Sequence, residues 1–264
     1  MSERTSYRRE GAAAVLTIER PERRNAVDRE TAEELLAGYE RFEADEGARV
    51  LIVTGAGGVA FCAGADLKAL SEVGPNPPED LVTGYIDRPQ GPMGFTRLTA
   101  SKPTIAAISG WCLAGGLEIA LWCDLRIATE GSKLGYPERR WGVPLIDGGT
   151  QRLPRIVGLG RALDMILTGR IMEVTEAHDW GLVNEVVPEG KHLERALELA
   201  EGLAGFPQDT MLADRRAAIV GSAMDLEAGL AYEAAAARET LETAIKGAGR
   251  FAGGAGRGGE GAGA

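Results

Sequence analysis

Residues 109–124 read SGWCLAGGLEIALWCD, and they decide how the rest of the chain is interpreted. They follow an apolar run at residues 103–108, PTIAAI, which is typical of a buried strand. After Gly115 and Gly116 the stretch is apolar on every side except at Glu118, which predicts a buried helix. Backbone N–H groups at a helix start favour negative charge. The stretch therefore places a carboxylate beside amides that can stabilise an oxyanion, although a first-turn glutamate can also be purely structural.

The composition excludes several classes of function. Hydrophobic residues make up 44% and charged residues 26% of the 264 residues, as in ordinary globular proteins. The net charge of −10 argues against binding to nucleic acid or to an acidic membrane. Three cysteines without metal-ligand spacing predict buried free thiols in a reducing compartment. With no secretory signal core and no membrane-length apolar stretch, we expect a cytoplasmic protein without membrane or metal.

Two further apolar runs predict buried strands, at residues 13–18 (AAVLTI) and 50–54 (VLIVT). Between them, apolar residues with helical spacing follow Asp28, which is placed to cap a helix.

Gly55, Gly57 and Ala60 match the dinucleotide-binding pattern G-x-G-x-x-G/A. That pattern should open a helix directly, whereas residues 61–65, FCAGA, read as a continuing loop. It also usually follows the first strand of a fold. A nicotinamide-dependent enzyme is therefore disfavoured.

The outer parts of the chain differ in composition. Residues 71–95 are rich in Gly, Pro and charge and predict a mobile surface segment. From Gly158 to about residue 245 the chain is mainly helical, with a last strand-like piece at residues 182–187. We expect a catalytic core at residues 1–197, a helical oligomerisation region at 198–246, and a flexible Gly/Ala-rich tail or arm at 247–264.

Four short motifs occur together in a characteristic order: Arg20-Pro21 with Asn25-Ala26, AFCAGADLK at 60–68, the stretch at 110–124, and Pro137-Glu138 followed by GGTQRL at 148–153. With these motifs the chain resembles the crotonase superfamily, the enoyl-CoA hydratase/isomerase family, over nearly its whole length. The resemblance implies an α/β fold, a spiral of repeated β-β-α turns with a C-terminal helical region. It also implies assembly as trimers or pairs of trimers.

The resemblance also implies roles for individual residues. The backbone N–H groups of Ala65 and Gly115 match the family's oxyanion hole for an acyl-CoA thioester. Glu118 and Glu138 match its two catalytic glutamates. The residues that the resemblance places along the CoA channel are Arg24, Ala26, Ala63, Asp66, Leu67 and Lys68. Alternatively, Asp66 braces the loop as a turn residue, and Lys68 is a solvated surface lysine. Because CoA belongs to the substrate, no separate cofactor is expected.

One loop departs from the hydratase pattern. Hydratases commonly carry Pro-Gly before the Gly-Gly-Thr, whereas this chain has VPLID at residues 143–147. We expect Leu145, Ile146 and Asp147 to shape the acyl pocket. Asp147 is either a structural cap of the next helix or a third acid in the site. The second alternative would favour isomerisation or an unusual acyl group.

The residue types agree with hydration of a 2-enoyl thioester. That reaction needs a stabilised enolate oxygen, a base for water and an acid for C2. His178 and His192 are expected at the surface, so that carboxylates carry the proton transfers. The sequence predicts an enoyl-CoA hydratase-like lyase. The alternatives are a double-bond isomerase, a non-catalytic acyl-CoA binder and an RNA binder, the last disfavoured by the Glu-rich segment 28–45.

Overall fold

The computed structural model describes residues 4–72, 74 and 76–254, without the side chains of residues 80 and 81. The strands are β1 (Thr5–Glu10), β2 (Ala13–Ile18), β3 (Val50–Gly55), β4 (Ala60–Cys62), β5 (Thr104–Ile108), β6 (Trp111–Leu113), β7 (Leu125–Thr129), β8 (Lys133–Gly135), β9 (Ile171–Glu173) and β10 (Glu185–Val187). The helices are α1 (Arg29–Ala44), α2 (Leu67–Ser71), α3 (Glu79–Ile86), α4 (Gly115–Trp122), α5 (Gly149–Val157), α6 (Leu159–Thr168), α7 (Val174–Asp179), α8 (His192–Ala204), α9 (Gln208–Gly221), α10 (Leu226–Arg238) and α11 (Leu241–Ala252). Two short 3₁₀ helices occur at Pro21–Arg23 and Pro137–Trp141.

The strands form two sheets. The larger has the order β1-β2-β3-β5-β7-β10 and is parallel except at β1. The smaller has the order β4-β6-β8-β9 and is parallel except at β9. Successive segments add one strand to the larger sheet, one to the smaller sheet and then a helix, as in β3-β4-α2 and β5-β6-α4. The first compact unit, residues 1–199, is therefore built from repeated β-β-α turns.

Continuous apolar runs explain the centre of the larger sheet. All residues of β2, β3 and β5 are buried, as expected for parallel strands covered on both faces. The predicted strands at residues 13–18 and 50–54 are confirmed. The predicted cap of α1 is also confirmed, since the Asp28 side chain accepts a hydrogen bond from the Thr31 N–H at 2.9 Å.

The glycine-rich turn after β3 does not open a helix. The absence of a helix here agrees with the departure from the dinucleotide-binding pattern. The chain leads into β4 instead, so the prediction of a continuing loop at residues 61–65 is wrong for Phe61 and Cys62. A Cβ on Gly55 would lie 2.6 Å from the carbonyl oxygen of Ala60 and 2.2 Å from that of Phe61. Close backbone packing between β3 and β4 therefore accounts for this glycine.

The prediction of a surface segment at residues 71–95 is wrong for its last part. Residues 79–86 form the exposed helix α3, but residues 91–96 are buried. Phe95 stacks on Tyr39 with ring centroids 6.0 Å apart and packs edge-on against Trp122 at 4.5 Å. This aromatic cluster outweighs the Gly- and Pro-rich composition of the segment.

The second compact unit begins at residue 200, and its described residues, 200–254, are mainly helical. Helix α11 continues to Ala252, so the predicted tail does not begin at residue 247. Thr243 donates a hydrogen bond to Asp209 of α9, and Lys246 pairs with Glu242 at 2.7 Å, which stabilises α11. Residues 255–264 of the predicted tail lie outside the described residues. Across the described ranges, no helix combines the length and the apolarity needed to cross a bilayer.

Candidate active site

Helix α4 begins with an unusual backbone conformation. Ala114, directly before its first residue, has φ 52° and ψ −128°, a region that non-glycine residues rarely adopt. The N–H of the first residue, Gly115, has no acceptor within an α-helix. A Cβ on Gly64 would lie 2.9 Å from the Gly115 nitrogen, so the two backbones approach closely. The strained residue therefore lies where the start of α4 packs closely against the segment that contains Gly64.

Ala65 supplies a second amide on that segment. A parallel β-bridge joins Ala65 to Val27. The Val27 N–H donates a hydrogen bond to the Gly64 carbonyl at 2.8 Å, and the Asp66 N–H donates to the Val27 carbonyl at 2.9 Å. The N–H of Ala65 itself takes no part in this bridge and points to the other side of the strand. The structure thus brings together the segments that carry the two predicted oxyanion-hole amides.

Glu118 lies in the first turn of α4 and is 2% exposed. Its Oε1 accepts hydrogen bonds from the backbone N–H groups of Asp147 at 3.0 Å and Gly149 at 2.7 Å. Burial raises the pKa of Glu118 to about 8, helped by the charge of Asp147 and opposed by the bond from Gly149. The Glu118 carboxyl group can therefore be either protonated or ionised near neutral pH.

Glu138 lies in the 3₁₀ helix Pro137–Trp141 and is also buried. Among the described residues, no other residue donates a hydrogen bond to either of its carboxylate oxygens. Burial raises the pKa of Glu138 to about 7, and its charge in turn helps to raise the pKa of Glu118. Two carboxyl groups that resist simultaneous ionisation can act as an acid and a base.

The two segments predicted to bind CoA are adjacent. The Ala63 N–H donates to the Arg24 carbonyl at 3.0 Å. Arg24 is exposed, with φ 52°, whereas Ala26 is buried. Leu67 and Lys68 are exposed in the first turn of α2.

The buried carboxylate of Asp66 is engaged by protein groups. It caps α2 by accepting hydrogen bonds from the N–H groups of Lys68 at 3.2 Å and Ala69 at 3.4 Å. It also pairs with the buried Arg20 guanidinium at 3.0 Å. This geometry favours the bracing role for Asp66.

Comparisons with known proteins identify the family of this chain. Residues 8–253 match the family model for enoyl-CoA hydratase/isomerase. The chain belongs to the enoyl-CoA hydratase/isomerase family. It is 36% identical over 236 residues to a short-chain-enoyl-CoA hydratase of Clostridium acetobutylicum, covering 89% of this chain and 88% of that protein. It is 37% identical over 219 residues to (E)-benzylidenesuccinyl-CoA hydratase of Thauera aromatica, covering 83% of each.

The fold is that of the same family. An enoyl-CoA hydratase structure from Bacillus anthracis superimposes with a TM-score of 0.86 and 35% identity, covering 94% of this chain and 96% of that one. The crotonase fold expected from the sequence motifs is confirmed.

Asp147 does not cap helix α5, although the sequence suggested that role. The N-cap of α5 is Gly148, and no side chain caps that helix. The Asp147 carboxylate instead accepts hydrogen bonds from the Met93 N–H at 3.0 Å and from the Thr96 hydroxyl. The cap prediction is wrong because these distant donors, more than 50 residues earlier, hold the carboxylate. Leu145 and Ile146 are half-buried beside it.

Two tyrosines of the site were not anticipated. Tyr136, buried directly before Pro137, has a pKa well above its usual range because of burial and the charges of Glu118 and Glu138. Tyr85, on the exposed helix α3, keeps 37% of its surface exposed, and partial burial together with the charges of Asp147 and Glu118 raises its pKa to about 12. Tyr136 could have been considered from its place beside Pro137-Glu138, whereas no local pattern marks Tyr85.

The prediction of two surface histidines is half right. His178 is exposed, but His192 at the start of α8 is half-buried, and burial lowers its pKa. Within the described ranges no group of three or more His, Cys, Asp or Glu side chains is arranged to hold a metal ion.

Proposed function

We propose that this family member is an enoyl-CoA hydratase, which adds water reversibly across the 2,3 double bond of a 2-enoyl-CoA thioester. The observation that carries the proposal is the pair of buried glutamates, Glu118 and Glu138, whose pKa values are raised to about 8 and about 7. A pair with one proton between them near neutral pH has the acid and the base that hydration requires.

The proposed reaction uses each group once. One carboxylate accepts a proton from water as the water oxygen bonds to C3. The electron pair of the double bond moves toward the thioester, and the other carboxyl group delivers a proton to C2. The N–H groups of Ala65 and Gly115 donate hydrogen bonds to the thioester oxygen as it gains negative charge. Loss of one such donor typically reduces turnover by about 10²–10³-fold.

We further propose that the CoA portion lies along Arg24, Ala26, Ala63, Leu67 and Lys68, with Asp66 bracing the loop. The adjacency of Ala63 and the Arg24 carbonyl supports a single continuous channel. The exposed cation of Lys68 is suited to the anionic groups of CoA.

The acyl group is expected to contact Leu145 and Ile146. The two relatives compared above act on different acyl groups at nearly the same identity to this chain, by their names a short-chain enoyl and a benzylidenesuccinyl group. Overall similarity therefore does not select the acyl group, and the residues of this loop are its expected determinants.

We also propose assembly as trimers or pairs of trimers in the cytoplasm. Helix α6 exposes Leu159, Leu163 and Leu167 at helical spacing, which supports self-association. Cys62, Cys112 and Cys123 are buried free thiols, which is consistent with a reducing compartment.

The test is incubation with crotonyl-CoA and with a longer 2-enoyl-CoA, monitored by loss of enoyl-thioester absorbance and by mass spectrometry. Gain of one water is expected with at least one substrate. Binding without gain of water, together with conversion of a 3-enoyl-CoA to its 2-enoyl isomer, would replace the hydratase by the isomerase.

A further inference from the structure

We propose that Asp147 is a positioning residue of this site. It holds two parts in a fixed arrangement, namely the acid–base carboxylate of Glu118 and residues 91–96, which pack against Gly115. The proposal rests on the function proposed above and adds a residue to it. Asp147 is 2% exposed and contacts both parts through different atoms.

The carboxylate of Asp147 organises residues 91–96. Its Oδ1 accepts the Met93 N–H at 3.0 Å and the Thr96 hydroxyl. Gly91 has φ +87°, and a Cβ there would lie 2.7 Å from Oδ1. The segment is therefore folded tightly around one buried carboxylate.

Residues 91–96 pack against Gly115, one of the two residues of the proposed oxyanion hole. A Cβ on Gly115 would lie 2.7 Å from the Sδ of Met93, so the Met93 side chain covers Gly115 directly. Because Met93 is anchored through its own N–H to Asp147, displacement of that anchor is transmitted to Gly115.

The backbone of Asp147 holds the Glu118 carboxylate. Its N–H donates to Glu118 Oε1 at 3.0 Å. Its carbonyl accepts from the Arg152 guanidinium at 2.9 Å, and the same guanidinium donates to the Thr96 carbonyl at 2.5 Å. Arg152 therefore contacts both Thr96 and Asp147, which are also hydrogen-bonded to each other. This network fixes the Asp147 backbone that holds Glu118.

The test compares Asp147→Asn with Asp147→Ala in the full chain. Asparagine keeps an acceptor for the Met93 N–H, whereas alanine leaves buried donors on Met93 and Thr96 without a partner. We expect kcat for crotonyl-CoA within about tenfold of wild type for asparagine and at least about 10²-fold lower for alanine, because small misplacements of catalytic groups have effects of that size. KM is expected to change less than kcat.

Asp124→Ala is the matched control. The Asp124 carboxylate accepts the N–H of Thr104 at 2.8 Å and its hydroxyl at 3.1 Å, the same kind of contact, beyond the C-terminal end of α4. This variant is expected to lose stability with kcat retained. If Asp147→Ala behaves like Asp124→Ala, the positioning role is overturned, while wild-type hydration leaves the proposed function intact.

A pH profile separates positioning from general support of the fold. The titratable or charged groups around Glu118 are Tyr85, Tyr136, Glu138, Asp147 and Arg152. Since Asp147 repels the ionised Glu118, Asp147→Asn should move the alkaline limb of kcat/KM to lower pH. An unmoved limb overturns the proposal. So does an asparagine variant as inactive as alanine, because the carboxylate would then act chemically itself.

Thr96→Val provides a second variant if Asp147→Ala does not fold. It removes one donor to Oδ1 and leaves the carboxylate in place. A kcat about three- to tenfold lower with KM unchanged is expected from loss of one positioning hydrogen bond. An unchanged kcat would overturn the proposal.

Discussion

The Glu118 carboxylate accepts a hydrogen bond from the backbone N–H of Gly149 at 2.7 Å, and the same oxygen lies 3.0 Å from the point that a Cβ on residue 149 would occupy. That point is also 2.6 Å from the Tyr136 hydroxyl oxygen. A methyl group at position 149 would therefore require both the Tyr136 hydroxyl and the Glu118 carboxylate to move.

Gly149→Ala is expected to reduce kcat by about 10²-fold or more, because the added methyl group displaces Glu118 from its position. The measurement is the steady-state rate of crotonyl-CoA hydration beside a thermal unfolding curve. Gly160→Ala in α6 is the control, since no atom lies within 4 Å of its added Cβ. It should keep the wild-type rate and gain about 0.4–1 kcal/mol of stability. Equal rates for the two variants would contradict this packing argument.

The rate of hydration should be bell-shaped in pH. The pair of glutamates titrates with pKa values near 7 and near 8, so one proton is shared between these limits. Below about 7 both groups are protonated and the base is lost, and above about 8 both are ionised and the acid is lost. A profile of kcat/KM from pH 5 to 10 checks this. A value of kcat/KM that stays the same across that range would contradict it.

Glu138→Gln should stabilise the fold at alkaline pH. The folded state raises the pKa of Glu138 from 4.5 to about 7, so the wild type binds a proton more tightly when folded. The stability this supplies is fully present below about pH 4.5 and is lost as pH rises through about 7. Glutamine lacks this pH dependence. The free energy of unfolding of Glu138→Gln relative to that of the wild type therefore rises with pH, by about 3 kcal/mol at most.

Urea unfolding of Glu138→Gln and wild type at pH 5 and pH 9 measures this difference. The exposed Glu46→Gln, measured under the same conditions, is the control for a Glu-to-Gln change at the surface. A Glu138→Gln advantage that is equal at both pH values would show that burial of Glu138 does not raise its pKa.

Arg20→Ala should destabilise the fold strongly. The buried Arg20 guanidinium pairs with Asp28 at 2.9 Å and with Asp66 at 3.0 Å. Removing it takes the cation from the buried Asp66 carboxylate and leaves Asp28 paired with Arg4. Breaking a buried ion pair in this way typically destabilises a protein by about 3–5 kcal/mol. The exposed Arg29, which pairs with Glu33 at 3.0 Å, is the comparison, and Arg29→Ala should change stability by about 0.3–0.5 kcal/mol. Similar denaturation midpoints for the two variants would contradict the buried network.

Local patterns in the sequence were enough for the central strands of the larger sheet and for Glu118 in the first turn of a buried helix. Fully apolar runs such as AAVLTI are typical of buried parallel strands, and Asp28 marks the start of its helix by capping it. These features depend on neighbours a few residues apart.

Long-range contacts explain what the sequence did not reveal. Asp147 looked like a cap of α5, but its donors Met93 and Thr96 are 54 and 51 residues earlier. Phe95 is buried by Tyr39 and Trp122 although its own segment is rich in turn-forming residues. No local periodicity encodes such pairings, which depend on how the turns of the spiral stack.

The most direct test of the central claim is the hydration of crotonyl-CoA by wild type, Glu118→Gln and Glu138→Gln, read by mass spectrometry beside the dissociation constant for the thioester. The account predicts gain of one water with the wild type. Each variant should lose at least about 10²-fold in turnover with little change in binding, since both carboxyl groups act in the transition state. Wild-type turnover by both single variants would contradict the account.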